Sequence, residues 1–326
     1  MRKFLYLLLV LTISLPGNRA KSQTITFEYD KTPPESGFKM DGYWVWCGSM
    51  IKVDSVYHLF ASRWPKSGPF PEGYKTNSEI VRATSNSPLG PFKFEEVVIG
   101  ERDSSYWDAN MAHNPTIHKI DNEYVLFYIG SDFTTLQQQS KALLRRVGYA
   151  ASQSIDGPWK RAEKPVIQSE SNNPALLVEK GKIKLMYRDA GLRIFIAEAK
   201  SYKGPYRIVN ENVWPNCRLE DFYLFKANDG YHMICEDNTG GLSGHERWGV
   251  HLCSPNGTTE WQKCVPLVVY DHTILLDNDS ILHCTRRERP QLLVEGNRIT
   301  HLVTSIFDGK NSWSQPVKLM HPIRVE

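Results

Sequence analysis

Internal repetition narrows the fold more than any other feature of this chain. A small polar run followed by Gly-Pro-aromatic recurs as "SNSPLGPFKF" (85–94), "SQSIDGPWKR" (152–161) and "AKSYKGPYRI" (199–208). Gly and Pro set a tight reversal, and the aromatic residue opens the next strand. Between these turns lie five strand pairs: "SMIKVDSVYHLFAS" (49–62), "PTIHKIDNEYVLFYIGS" (115–131), "PALLVEKGKIKLMYRD" (174–189), "FYLFKANDGYHMICED" (222–237) and "PQLLVEGNRITHLVTS" (290–305). Each couples a short apolar strand to a polar turn and then to a strand rich in β-branched and aromatic residues.

Five such units, about 60 residues apiece, and no long amphipathic helix predict an all-β chain folded as a five-bladed β-propeller. A β-sandwich is the alternative, but it carries no fixed repeat of this length. No Pro-, Gly- or Ser-rich linker divides residues 23–326, so one domain is expected. In a propeller the innermost strands converge on the axis. Residues at their leading ends therefore become the site candidates: "MDGYWVWCG" (40–48), "YWDANMAHN" (106–114), "SESNN" (169–173), "NCRLED" (216–221) and "CTRRER" (284–289).

Composition excludes some partners. With 39 basic and 36 acidic residues, the near balance gives no reason to expect nucleic acid or an anionic membrane surface. Residues 1–22 read as an export signal: Arg2 and Lys3, the apolar run Phe4 to Leu15, then Pro16, Gly17 and Ala20. A periplasmic or secreted protein, monomeric and free of the membrane once the signal is removed, is expected. Of six cysteines, Cys253 and Cys264 flank the hairpin-like "SPNGTTEWQK" and are the best disulfide candidates. No CxxC or CxH spacing suggests zinc.

The motifs "HNPTIHKIDNEYVLFY" and "LEDFYLFKANDGYHMI" resemble the second- and fourth-blade signatures of glycoside hydrolase family 43 and its five-bladed relatives. The resemblance implies hydrolysis of a glycosidic bond, exo-acting and inverting, and carries the general acid onto Glu220. Two family positions depart. Cys47-Gly48 stands where the first blade has Asp-Pro, and Asn173-Pro174 where the third has its aspartate. Neither Cys nor Asn replaces a carboxylate as base at neutral pH, so a divergent branch of the architecture is expected.

Glycosidic cleavage needs a proton donor and a carboxylate that activates water or attacks. Glu220 is the expected acid; the base is either Asp108 or Asp41, each six residues before an inner-strand motif. Strand alternation sends Asp221 away from Glu220, so at most one of the two is expected to face the pocket. His113 and Asn114 are expected substrate contacts. Arg188-Asp189 and Glu236-Asp237 occupy matching places at the ends of second strands, either contacting substrate or pairing between blades. Arg63, Arg188 and Arg289, with Glu288 beside the last, would form a fork-bearing site for an acidic or sulfated sugar. Trp46 and Trp107 suit sugar faces. No Asp-rich loop demands calcium, so no cofactor is expected, although the resemblance leaves an axial Ca2+ open. A carbohydrate-binding propeller without catalysis, or a uronate lyase with His113 or a tyrosine as base, are the alternatives.

Overall fold

The computed structural model describes residues 25–132 and 143–326; the export-signal segment lies outside them. The first blade comprises β1 (Tyr43–Val53), β2 (Val56–Pro65), β3 (Glu79–Ser85) and β4 (Lys93–Ile99), with the single-turn helix α1 (Tyr74–Asn77) in its β2–β3 loop. The second holds β5 (Met111–Ile120), β6 (Glu123–Ser131), β7 (Arg146–Ser152) and β8 (Lys160–Arg161). The third holds β9 (Asn172–Glu179), β10 (Lys182–Arg188), β11 (Ile194–Ala199) and β12 (Arg207–Asn210). The fourth holds β13 (Leu219–Ala227), β14 (Gly230–Asp237), β15 (Trp248–Ser254) and β16 (Gln262–Tyr270). A short hairpin, β17 (Thr273–Leu275) and β18 (Ile281–His283), leads to the fifth blade, β19 (Arg286–Glu295), β20 (Arg298–Phe307) and β21 (Ser312–Arg324). Every blade is an antiparallel meander, and the inner strands β1, β5, β9, β13 and β19 neighbour one another in a closed ring.

The fifth blade is completed by the start of the described chain. Tyr29 bridges Leu319 and Phe38 bridges Ser314, both antiparallel, with Phe38 and Ser314 exchanging backbone bonds of 2.9 and 3.2 Å. The segment 25–38 thus runs beside β21 and meets its edge at isolated bridges, which satisfies part of an otherwise open row of backbone donors and acceptors.

Period-two alternation explains the near-continuous apolar second strands. Leu59 packs toward blade 5 and Phe60 toward blade 2; Leu126 packs toward blade 1 and Phe127 toward blade 3. Met233 packs toward blade 3 and Ile234 toward blade 5. Each strand is buried on both faces because each blade has two neighbours. A fully buried side chain of this kind contributes roughly 2 kcal/mol. The three Gly-Pro-aromatic turns share one backbone: Gly90, Gly157 and Gly204 take φ of 87°, 86° and 86°, a region where a Cβ is disfavoured. Cys253 and Cys264 form the expected disulfide, joining β15 to β16.

Candidate active site at the propeller axis

The inner strands begin earlier than the apolar pattern suggested, and each contains a bulge at the same place. Cys47-Gly48 oppose Ala61, Asn114-Pro115 oppose Tyr128, Asn173-Pro174 oppose Tyr187, Asp221-Phe222 oppose Cys235, and Arg289-Pro290 oppose Thr304. The first residue of each bulge is left-handed: φ is 59° at Cys47, 55° at Asn114, 54° at Asn173, 54° at Asp221 and 56° at Arg289. Asn and Asp tolerate that region; for Cys and Arg it stores strain of order 1–3 kcal/mol. Neighbouring blades satisfy two of the displaced backbone donors. The Cys47 amide donates to Ser305 Oγ at 2.6 Å and the Asn114 amide to Ser62 Oγ at 3.1 Å.

These five residues are buried and linked around the axis. The Cys47 thiol donates to Asn114 Oδ1 at 2.7 Å, Asn114 Nδ2 to Asn173 Oδ1 at 3.0 Å, and Asn173 Nδ2 to Asp221 Oδ1 at 2.7 Å. Arg289, fully buried, sets Nη1 3.5 Å from Asp221 Oδ1 and donates from Nη2 to the carbonyls of Asn114 and Pro174. Burial pushes the Cys47 thiol well above its ordinary range, so it is neither base nor nucleophile at neutral pH. His113 stacks on Tyr74 at 4.4 Å and bonds Ser78 Oγ at 2.8 Å through Nδ1. Burial, with Arg289 and Arg145 nearby, pushes its pKa down to about 3 and keeps it neutral.

Beside the ring, four carboxyl groups meet four guanidinium groups. Glu220 and Glu236 are cross-strand partners on β13 and β14. The carboxylates of Asp221, Glu236 and Glu288 lie with an oxygen of each within 4.8 Å of the others. Arg247 Nη1 donates to both Glu236 and Glu288 at 3.0 Å, Arg286 forks onto Glu288, and Arg188 Nη2 donates to Glu220 at 2.7 Å. Burial raises Asp221 to about 6, with Glu220 and Glu288 adding to the rise and Arg289 opposing it. Burial and the neighbouring Glu288, Asp221 and Glu220 push Glu236 well above the carboxylate range. Like charges this close cannot all be ionised in a low-dielectric site. The cluster opens to solvent through Glu220, Arg247 and Arg286, whose side chains are 21%, 29% and 23% exposed. Arg286 also lies over Trp46 and Phe70, and Phe70 stacks on Phe307, so aromatic rings wall one side.

The structure brings together Glu220, Asp221, Arg188, Glu288, Arg289, Asn114, His113 and Trp46. It corrects several expectations. Asp221 does not turn away from Glu220, because the bulge interrupts the alternation on which that expectation rested. Asp108 is buried against the outer part of blade 2, taking a 2.6 Å bond from Tyr128 and ion pairs from Arg102 and Arg161. Asp41 is an exposed turn residue before β1. Neither stands with the axial carboxylates. Arg63 pairs with Glu79 and lies over Tyr43 and Phe94 of its own blade. Asp189 accepts from the Arg193 amide and guanidinium, and Asp237, fully buried, accepts from Leu242 and Ser243. Both acids fold their own loops, since they follow Arg188 and Glu236 by one residue and the pleat turns them away. Trp107 stacks on Tyr128 and fills the space over Gly130 and Gly148, so it is core rather than a sugar platform.

Sequence reasoning missed Arg247 and Arg286 as site members. Glu236, the blade-4 counterpart of Arg188, stood there as a candidate for either substrate contact or pairing between blades. Arg247 sits in the β14–β15 loop, and no local pattern marks a loop side chain that returns to the axis.

No protein-family model and no curated protein matches the sequence. Among solved structures, the chain is similar to Zg3597, a family 117 glycoside hydrolase produced by the marine bacterium Zobellia galactanivorans (16% identity, 89% of this chain and 88% of that one, TM-score 0.61). It is similar to the α-L-arabinofuranosidase PaAbf62A from Podospora anserina, solved in complex with cellotriose (13%, 91% and 98%, 0.63), and to native Bacillus subtilis arabinanase Arb43A (18%, 84% and 93%, 0.60). The chain therefore shares the five-bladed β-propeller fold of these glycoside hydrolases.

Proposed function

We propose that this protein is an exported glycoside hydrolase that acts at the end of an oligo- or polysaccharide seated over the axial ring. The observation that carries the reading is one axial cluster of four carboxyl groups whose surroundings differ. Asp221 and Glu236 are pushed toward the acid form, while Glu288 is held by Arg247 and Arg286. Hydrolysis of a glycosidic bond needs such a pair, one carboxyl keeping its proton and another staying ionised. Glu220, the more open carboxyl, is the donor at the leaving oxygen, and Glu288 the base that activates water. Burial and the neighbouring carboxyls shift Asp221 and Glu236 toward the acid form beside them.

The buried ring of Cys47, Asn114, Asn173, Asp221 and Arg289 closes the axis beneath the site. A pocket closed below admits a chain end, which favours exo action. Inversion is assigned from the architecture and is read directly by NMR of the first anomer released. Burial pushes Asp221 and Glu236 toward the acid form, so the four guanidiniums of Arg188, Arg247, Arg286 and Arg289 outnumber the ionised carboxylates, which favours a uronate or sulfated sugar. Asp221, Glu236 and Glu288 are the carboxylates that would hold an axial cation, and Arg247 and Arg289, paired with the same three groups, supply positive charge there for the proposed steps. The protein is proposed to act as a monomer.

The test is a panel of neutral, uronate-bearing and sulfated oligosaccharides given to wild type, Glu220→Gln and Glu288→Gln. The reading requires release of a sugar by wild type and a loss of about 10²–10⁴-fold in each variant. Cys47 in the first-blade position supports one rival, a binding propeller without catalysis, for which every protein would bind and none release product. The lyase reading is weakened because buried, neutral His113 is a poor base.

A further inference from the structure

The opposite end of blade 4 carries a second cluster that the proposed hydrolysis does not use. His232 on β14 and His251 on β15 are both buried, and His232 Nδ1 faces His251 Nε2 at 2.9 Å. Their outer nitrogens already have acceptors: His232 Nε2 lies 3.1 Å from Asp229 Oδ1, and His251 Nδ1 lies 3.3 Å from the Pro266 carbonyl. When each outer nitrogen carries its proton, the two inner nitrogens present lone pairs to each other. That arrangement is repulsive as it stands and is relieved by a cation between them. Imidazoles whose far N–H is held by a carboxylate or a carbonyl are the form that metal-binding histidines take.

The third group is Cys264, whose Sγ lies 3.9 Å from His232 Nδ1, and the three ligand atoms all fall within 4.8 Å of one another. Cys264 is bonded to Cys253, the cross-strand partner of His232, so a fourth donor stands on the same face of the sheet. Phe225 stacks on His232 at 4.8 Å and Phe27 meets His251 edge-on at 5.1 Å, which keeps the pair dry. Burial lowers the pKa of both histidines, His251 to about 3, consistent with neutral ligands.

We propose that reduction of the Cys253–Cys264 disulfide opens a site for a borderline-soft divalent metal of the Zn2+ class, with His232 Nδ1, His251 Nε2, Cys264 Sγ and Cys253 Sγ as ligands. A dithiol reductant supplies two electrons and two protons. The S–S bond breaks into two thiols, and the reductant's own two sulfurs join as a disulfide. The metal then displaces the two thiol protons to solvent, and two thiolates balance its charge. Two nitrogens on a tetrahedral zinc lie about 3.3 Å apart, so the rings separate by only a few tenths of an ångström. Val265, beside Cys264, is 91% exposed, and both cysteines are only partly buried, which lets a reductant reach the bond. Disulfide and metal are then alternative fasteners of β14, β15 and β16.

Co2+ titration of the oxidised and the reduced full mature chain tests this. The reduced chain should take up one equivalent, with a thiolate-to-cobalt charge-transfer band and tetrahedral d–d bands; the oxidised chain should lack the charge-transfer band. His232→Ala and His251→Ala should each abolish it, Asp229→Asn should weaken affinity by roughly 10–100-fold, and Cys217→Ser should change nothing. The proposal is overturned by a reduced, folded wild type with no such band, by a band that survives in both histidine variants, or by a reduced chain that unfolds and does not refold with Zn2+. Should the variants fail to fold, the wild-type comparison decides alone.

Discussion

Asn173 on β9 donates through Nδ2 to Asp221 Oδ1 on β13 at 2.7 Å, tying blade 3 to blade 4 at the base of the proposed site. The bond exists because both residues take the left-handed first position of a bulge and so turn toward the axis. It also bears on the proton inventory, since Asp221 is raised to about 6 chiefly by burial.

The first prediction concerns pH. A carboxyl raised from 3.8 to about 6 on folding binds more protons in the native state. Its contribution is fully present below about pH 4 and is lost as pH rises through 6, to the extent of about 3 kcal/mol. Buried neutral histidines such as His113 act in the opposite direction. The readout is therefore the difference between wild type and Asp221→Asn in urea unfolding at pH 4.5 and 7: the variant should gain relative stability at the higher pH. An equal offset at both values would contradict the raised carboxyl.

Asp108→Asn should cost stability rather than catalysis. It leaves Arg102 and Arg161 without their buried counter-charge, a loss of about 3–5 kcal/mol. Chemical denaturation should register that loss, while kcat per folded molecule stays within about twofold. A large fall in kcat with unchanged stability would restore Asp108 as base.

Two tryptophans should part ways. Trp107→Ala empties core space against Tyr128 and should destabilise by about 3–5 kcal/mol without changing KM. Trp46→Ala, beside Arg286 at the site wall, should raise KM on a true substrate. Thermal melts and initial rates on the same preparations separate the two effects.

The Cys253–Cys264 bond closes a short loop between β15 and β16. In metal-free buffer, Cys253→Ser with Cys264→Ser should lower unfolding free energy by about 3 kcal/mol through the freed chain entropy, with sugar release retained because the carboxyl cluster lies at the other end of the blade.

The repeat, and with it the blades, is written in the order of the residues. Gly90, Gly157 and Gly204 mark reversals by chemistry that any reader of the chain can see, and period-two apolar strands have few ways to bury both faces. The same order determined that Glu220, Asn114, His113 and Arg289 stand near the axis, because the leading ends of repeated inner strands must converge. Tertiary structure decided what local pattern does not encode. Five bulges broke the alternation and turned Asp221 inward beside Glu220. The β14–β15 loop returned Arg247 to Glu236 and Glu288. Asp108, the more distinctive of the two expected bases, went to Arg102 and Arg161 at the blade's outer side. Which carboxyl is ionised depends on neighbours from four strands and a loop and on burial. Those are set only when the ring closes.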